Sequence, residues 1–353
     1  MPRPPPPVKL SMKQMVRGYK DHLKTARAEA DEKLASTRWP KENIGNFEIL
    51  GTLGEGSFGT VILAMHRQSR KLFAVKVLSS RMAEICGAER ALLEKRVLFA
   101  THSDFIVPLF FSGHDRTNLY LFMEFVPRGT LKRCFCENSR QPEATVKLYA
   151  AQIVLALEYL HACRILYRDL KPDNVLLADD NYIKLCDFGL AKRIQRCTYT
   201  VVGHRSHIPP EVTRRLGYRE GTDWWAFGVT VYELLFQKLP YSYTDPAYRG
   251  VNVPVIPIVF PPEAPVSVEV HDLILSLLEK DPTRRLGTLE RGTEDVKEHP
   301  WFAGLSFPKL FHKSIPMPNF DYPETVPIKK IVYRTFFHAG EVGPAAADIF
   351  EDF

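Results

Sequence analysis

The chain has 353 residues, of which 45% are hydrophobic and 25% charged, the balance of a globular protein able to bury a sizeable core. No stretch approaches eighteen uninterrupted apolar residues, so no membrane-spanning helix is expected. Of the formal net charge of +6, residues 1–40 carry +5 (nine Lys/Arg against four Asp/Glu), which leaves the remainder near neutral. A polyanion binder is thereby disfavoured, and no nucleic-acid partner is expected.

The opening MPRPPPPVKL lacks the apolar core of a secretory leader, and Pro2 stands where N-myristoylation would need glycine. Cys86, Cys134, Cys136, Cys163, Cys186 and Cys197 show no paired metal-site spacing. They read as free thiols of a reducing compartment, cytoplasmic or nuclear. Residues 2–7 are almost all proline and should be stiff and extended. From Met12, apolar residues recur at Met15, Val16, Tyr19, Leu23, Ala26, Ala30 and Leu34, one stripe of a long helix whose other face is basic. That helix either lies on a membrane surface or packs on the body of the protein; its narrow, alanine-rich stripe favours packing.

Phe47 begins the folded core. The segment from Phe47 to Met65 reads as strand, glycine turn, strand, with Gly54, Gly56 and Gly59 in the turn. Gly-x-Gly-x-x-Gly is shared with dinucleotide-binding folds, where it opens a helix. Here β-branched and apolar residues continue from Thr60 as a strand. A third strand, Leu72 to Leu78, carries Lys76 on the same face as Ala74 and Leu78, so the lysine points inward and needs an anionic partner. Glu94, on the helical stretch Ala88–Ala100, is the candidate. Asn118 to Phe125 reads as a further strand leading into Val126-Pro127, a connector to a mainly helical part. That part holds three apolar helices: Glu143–His161, Asp223–Phe236 (apolar nearly all round) and Val268–Leu278. From Pro308 the composition is loop-like and reads as an extended tail.

The most informative stretch runs from Arg164 to Lys192. Asp169, Lys171 and Asn174 share a loop, and two short strands with turn residues Asp179, Asp180 and Asn181 deliver Asp187 beside Phe188 and Gly189. A carboxylate, an ammonium, an amide oxygen and a second carboxylate are thus held close together. Phosphoryl transfer uses such a set: one carboxylate takes the hydroxyl proton, the lysine steadies the moving group, and amide and carboxylate oxygens hold Mg2+.

These motifs resemble the AGC group of serine/threonine protein kinases, and within it most closely the catalytic subunits of cyclic-AMP-dependent kinases. The likeness runs from about Phe47 to Trp301 through Gly54–Val61, Lys76, Glu94, Tyr167-Arg168-Asp169, Asp187-Phe188-Gly189, Pro210-Glu211, Asp223 and Arg285. It implies an α+β, bilobal kinase fold: a small antiparallel β-sheet lobe with one main helix (47–124) and a larger, mainly helical lobe (128–302). An N-terminal lead and helix (1–46) and an AGC-type tail (303–353) flank it. ATP would be bound by Leu53, Gly54, Glu55, Gly56, Ser57, Phe58, Gly59, Val61, Ala74, Lys76, Met123, Glu124, Val126, Leu176 and Asp187, and Mg2+ by Asn174 and Asp187. Asp169, Lys171, Asn174, Lys76 and Glu94 would be the catalytic set, acting on Ser/Thr hydroxyls of protein substrates. Thr200 takes the position of the activating phosphate, with Thr198 the competing candidate.

Further implications are a spine of Leu98, Leu109, Tyr167 and Phe188, a Glu211–Arg285 ion pair, and possible partners in a regulatory subunit and an upstream activating kinase. Asn319-Phe320-Asp321-Tyr322 resembles the tail segment beside the ATP pocket, and Phe350-Glu351-Asp352-Phe353 a hydrophobic motif docking on the small lobe. Asp173 and Glu233 stand where the related enzymes read substrate arginines, which implies a basic-residue preference. That preference should be weakened by Thr130, which replaces a third acid. Gly203-His204-Arg205-Ser206-His207 departs from the family's Gly-Thr-Pro-Glu-Tyr, in which the threonine bridges the catalytic aspartate and lysine. The competing function, a nucleotide-binding pseudokinase scaffold, is disfavoured because Lys76, Asp169, Asn174 and Asp187 are all present.

Overall fold

The strands rich in β-branched and aromatic residues build one antiparallel sheet in a computed structural model that describes residues 10–36, 39–56, 59–79, 88–136, 140–241 and 258–318. Strands β1 (Phe47–Gly56), β2 (Gly59–His66), β3 (Leu72–Ser79), β4 (Leu109–His114) and β5 (Asn118–Glu124) lie in the order β1-β2-β3-β5-β4. The register places Lys76 opposite Val61 on one side and Leu121 on the other, and Ala74 opposite Met123. One face buries Phe47, Ile62, Phe73, Val75 and Phe122, with the Phe47 and Phe122 rings stacked 4.6 Å apart. Helix α2 (Ala88–Ala100) packs beside the sheet and sends Val97 and Leu98 into the main core. Strand β4 had no distinct sequence signal: Leu109 to His114 is short and closely follows Pro108.

The second lobe is organised by α3 (Glu143–Ala162) and α5 (Gly221–Phe236), with the one-turn α4 (Pro210–Thr213) between them in sequence. Helix α5 is buried along its whole length, as its all-round apolar sequence requires. Helix α6 (Val268–Leu277) covers it with Val270, Leu273, Ile274 and Leu277. The described residues close on α7 (Thr293–Lys297) and α8 (Phe307–Phe311). Helix α8 lies where the composition suggested only an extended tail. Ser306 caps it by accepting from Lys309 N, and Phe307 and Leu310 are buried, so two apolar anchors order a turn that propensity alone does not announce. The two tail motifs, at 319–322 and 350–353, lie outside the described residues.

Helix α1 (Met12–Ala35) begins with a capping box in which Ser11 and Gln14 satisfy each other's backbone donors. Its alanine-rich stripe is buried at Ala26 and Ala30, which makes it a packed helix and not a membrane-surface one. Tyr19 donates its hydroxyl to Glu158, and Lys297 reaches the same carboxylate at 2.8 Å. His22 stacks on Tyr159 at 5.1 Å, and Arg193 donates to Asp31. Just beyond the helix, Trp39 stacks on Phe99 of α2 at 4.9 Å.

Arg285 is wholly buried, bound bidentately to Glu211 at 2.6 and 3.0 Å and to the Gly221 carbonyl at 2.9 Å, with its guanidinium over Trp225. Breaking such a pair strands a charge in the interior, which typically costs about 3–5 kcal/mol. Arg285→Ala should therefore shift the urea midpoint by that equivalent. Arg17→Ala, which breaks only the exposed pair with Asp21, should leave it nearly in place. Equal midpoints for the two variants would contradict this ranking.

Candidate active site

Lys76 leaves the sheet on its inward face and binds two carboxylates from opposite lobes: Glu94 at 2.7 and 2.9 Å and Asp187 at 2.9 Å. The lysine is 6% and Glu94 only 2% exposed. Burial opposes the lysine charge, but the two carboxylates outweigh it and hold the ammonium above the usual lysine range. Asp187 is pulled below the ordinary carboxylate range: burial pushes upward, and Lys76 together with the Gly189 N–H overcomes it.

The catalytic loop is assembled around Asp223, a fully buried carboxylate on α5. It accepts from Tyr167 N at 3.0 Å and Arg168 N at 2.8 Å and contacts His161 Nε2 at 2.8 Å. These bonds hold Arg168 at φ 66°, a left-handed conformation unusual for a residue with a Cβ, directly before Asp169. Asp187 has φ 54° in the same region. The strain is local and overdetermined by its surroundings, the pattern of a functional site. Gly203 completes the wall at φ 113°; a Cβ there would lie 2.8 Å from the Arg168 carbonyl oxygen, so only glycine allows this approach.

Asp169 is 7% exposed, accepts from Asn174 Nδ2 at 2.7 Å and pairs with Lys171 at 3.1 Å. Burial raises its pKa, partly offset by Lys171 and Asn174. Lys171 thus meets Asp169 directly. His204 meets Ser206 Oγ at 2.7 Å and lies edge-on to the His207 ring at 5.9 Å, and among the described residues no hydrogen bond joins it to Asp169 or Lys171 as the family threonine would be joined.

Most of the expected nucleotide-binding residues lie on β1–β3 and the connector after β5. Gly54 pairs with Val61 and Gly56 with Gly59 across the β1–β2 turn, whose tip, Ser57 and Phe58, is outside the described residues. Gly59 has φ 146°, and a Cβ on it would meet the Val77 carbonyl oxygen at 2.3 Å. Leu53 and Glu55 lie on the same strand; Ala74 faces Met123, Glu124 pairs with Lys184 at 2.9 Å, and Val126 is buried in the connector. Leu176 bridges Thr130 from below.

The donor set suits Mg2+. Asn174 spends its amide hydrogens on Asp169, leaving its Oδ1 available, and Asp187 spends Oδ1 on Lys76, leaving Oδ2. Among the described residues no group of three or more His, Cys, Asp or Glu could hold a metal alone. Two oxygen donors completed by phosphate oxygens and water match the way Mg2+ is commonly bound.

Leu98, Leu109, Tyr167 and Phe188 are all buried, with Tyr167 and Phe188 edge-to-face at 5.1 Å. Around the activation segment, Arg90 donates to Gly189 O at 2.7 Å, Arg168 to Leu190 O and Tyr218 Oη, and Lys192 to Thr198 Oγ1 at 3.1 Å. Tyr218 passes its hydroxyl hydrogen to Thr200 O at 2.6 Å. Sequence reasoning missed Tyr218, an isolated aromatic, and Lys132, whose one sequence signal is a charge directly after the buried Leu131. Glu233, expected to face a substrate arginine, receives Lys132.

The protein kinase domain family matches residues 47–302. The chain is 34% identical to a Caenorhabditis briggsae "cAMP-dependent protein kinase, catalytic subunit-like" protein over 85% of this chain and 78% of that one. It is 36% identical to Saccharomyces cerevisiae cAMP-dependent protein kinase type 3 (79% and 70%). The same identity holds for the human cAMP-dependent protein kinase catalytic subunit PRKX (79% and 78%).

Cys186, next to Asp187, invites electrophiles by position. Its thiol is pushed far up, first by burial and then by the Asp187 charge, and it donates to Asn174 O. Cys197 is exposed. Iodoacetamide at neutral pH should label Cys197 at least tenfold faster than Cys186; comparable rates in peptide mapping would refute the claim of a protonated, inert Cys186.

Proposed function

Given that this chain belongs to the protein kinase family, in its AGC serine/threonine branch, we propose that Asp169 takes the proton of a substrate Ser/Thr hydroxyl while Lys171 steadies the transferring γ-phosphoryl group of ATP. The observation that carries this reading is the direct Asp169–Lys171–Asn174 arrangement on a loop pinned by Asp223. Mg2+, held by Asn174 and Asp187, would neutralise phosphate charge. Lys76, fixed by Glu94, would orient the α- and β-phosphates, and the Met123–Val126 connector would border the adenine. Protein substrates follow from the family. A regulatory subunit and an upstream activating kinase remain part of the proposal. No described helix is long and apolar enough to cross a membrane, which suits the proposed cytoplasmic or nuclear setting.

Thr200 is proposed as the activating phosphosite. It is exposed, whereas Thr198 is 3% exposed with its hydroxyl against Lys192. Arg168 lies one hydroxyl away through Tyr218. A phosphate brings about −1.5 to −2 charges and can form one to three charge-assisted hydrogen bonds, enough to order the loop. For the substrate, a moderate basic preference is proposed to rest mainly on Asp173, which is exposed beside Asp169.

Asp169→Ala should lower kcat by about a thousandfold or more while Mg-ATP binding, followed by calorimetry, changes little. Wild-type turnover in that variant would sink the assignment. Because Asp169 must be ionised and its pKa is raised, the acid limb of kcat/KM should lie above the ordinary aspartate value of about 3.9. Thr200→Ala should reduce activity about tenfold or more, and intact mass of fully active enzyme should show one phosphate at Thr200. Full activity without it would defeat the switch.

A further inference from the structure

Three turns converge on α5 beside the catalytic loop: the segment 130–136, Pro172–Asn174 and Arg205–His207. At their meeting point lies Glu233, a carboxylate only 5% exposed at its side chain. Lys132 donates to its Oε1 and is itself 33% exposed, so the ammonium stands between the carboxylate and solvent. His207 Nε2 faces the other oxygen at 3.6 Å. That imidazole is buried, linked through Ser206 Oγ to His204, and held neutral chiefly by burial and then by His204, Lys171 and Lys132. Lys132 therefore sets a positive charge directly on Glu233. Pro172–Asn174, the turn directly after Lys171, packs on the same helix as Arg205–His207, which places the cluster beside the proposed site of transfer.

A carboxylate at this place would attract a substrate cation, since bidentate carboxylate–guanidinium pairing is among the stronger polar contacts. Here an arginine would first have to expel an internal ammonium from a largely buried partner. Buried charges are commonly compensated from within the protein, and the exchange of one cation for another leaves little net gain.

We propose that Lys132 is a specificity-determining residue: an internal counter-ion that fills the cation site on Glu233, so that an arginine in the substrate gains nothing there and a neutral or acidic side chain is accepted. This deepens the kinase reading and rests on it. It also accounts for why Asp173 is left to carry the basic preference.

The test uses paired peptides, with arginine or alanine at each of the four positions before a phosphorylatable serine. Both kcat/KM and equilibrium binding by fluorescence anisotropy are measured on the full chain. Lys132→Met keeps the stem and removes the charge; it should raise the arginine-to-alanine ratio at least tenfold at one position, and Lys132→Met combined with Glu233→Gln should abolish that gain. Lys132→Arg should keep the wild-type ratio. A ratio within twofold of wild type in a folded Lys132→Met protein overturns the proposal. If Lys132→Met does not fold, Glu233→Gln decides: an unchanged ratio supports the proposal, and a fivefold or greater loss of arginine preference overturns it. Absence of phosphate transfer to every peptide would count against the kinase reading, while the binding ratio would still decide the role of Lys132.

Discussion

One ammonium group holds the site together. Lys76 from the sheet contacts Glu94 on α2 and Asp187 from the larger lobe, so a single buried cation sets the distance between the lobes and the place of the carboxylate proposed to bind metal. Two carboxylates this close would repel each other without it, and the lysine would be costly to bury without them. Each of the three groups is thus retained by the other two. The position of Asp187 depends on the same triad. Its left-handed backbone swings the following Phe188 inward onto Tyr167, which connects the charge cluster to the apolar column through both lobes.

A second centre, Asp223, serves the backbone rather than the substrate. By satisfying the N–H groups of Tyr167 and Arg168 it makes an unfavourable conformation the stable one just before Asp169. Leaving two buried donors unpaired would cost about 1–3 kcal/mol each, comparable with the strain itself. A helix buried along its whole length therefore sets the aim of the proposed catalytic base.

The sheet, the long helices and the Arg164–Lys192 hairpin were legible because their signals are local: alternation, all-round apolarity, glycine at turns. The pairing of Lys76 with Glu94 was legible as well, since an inward-facing lysine demands an anion. Strand β4 and the two-residue ribbon of β6 (Ile165–Leu166) with β9 (Lys192–Arg193) were not, because they are defined by distant partners and not by their own pattern. The hairpin itself supplies β7 (Val175–Leu177) and β8 (Ile183–Leu185). Likewise, no local rule announces that Lys132 would find Glu233 a hundred residues away, or that Tyr218 would link Arg168 to the Thr200 carbonyl. His204 shows the limit of reading by position: its ring turns to Ser206, and Asp169 is met by Lys171 and Asn174.

Helix α1 itself packs on both lobes, against α2 of the smaller and α3 and α8 of the larger, and Trp39, a few places beyond it, also rests on α2. The N-terminal helix is in that sense a tie between the two lobes. Reciprocity then constrains its energetics: whatever draws the lobes together at the front tightens the tie by the same free energy with which an undone tie would loosen the cleft. Loss of the buried Ala26–Ala30 packing would thereby be felt at the Lys76–Glu94 pair, which no described residue of α1 touches.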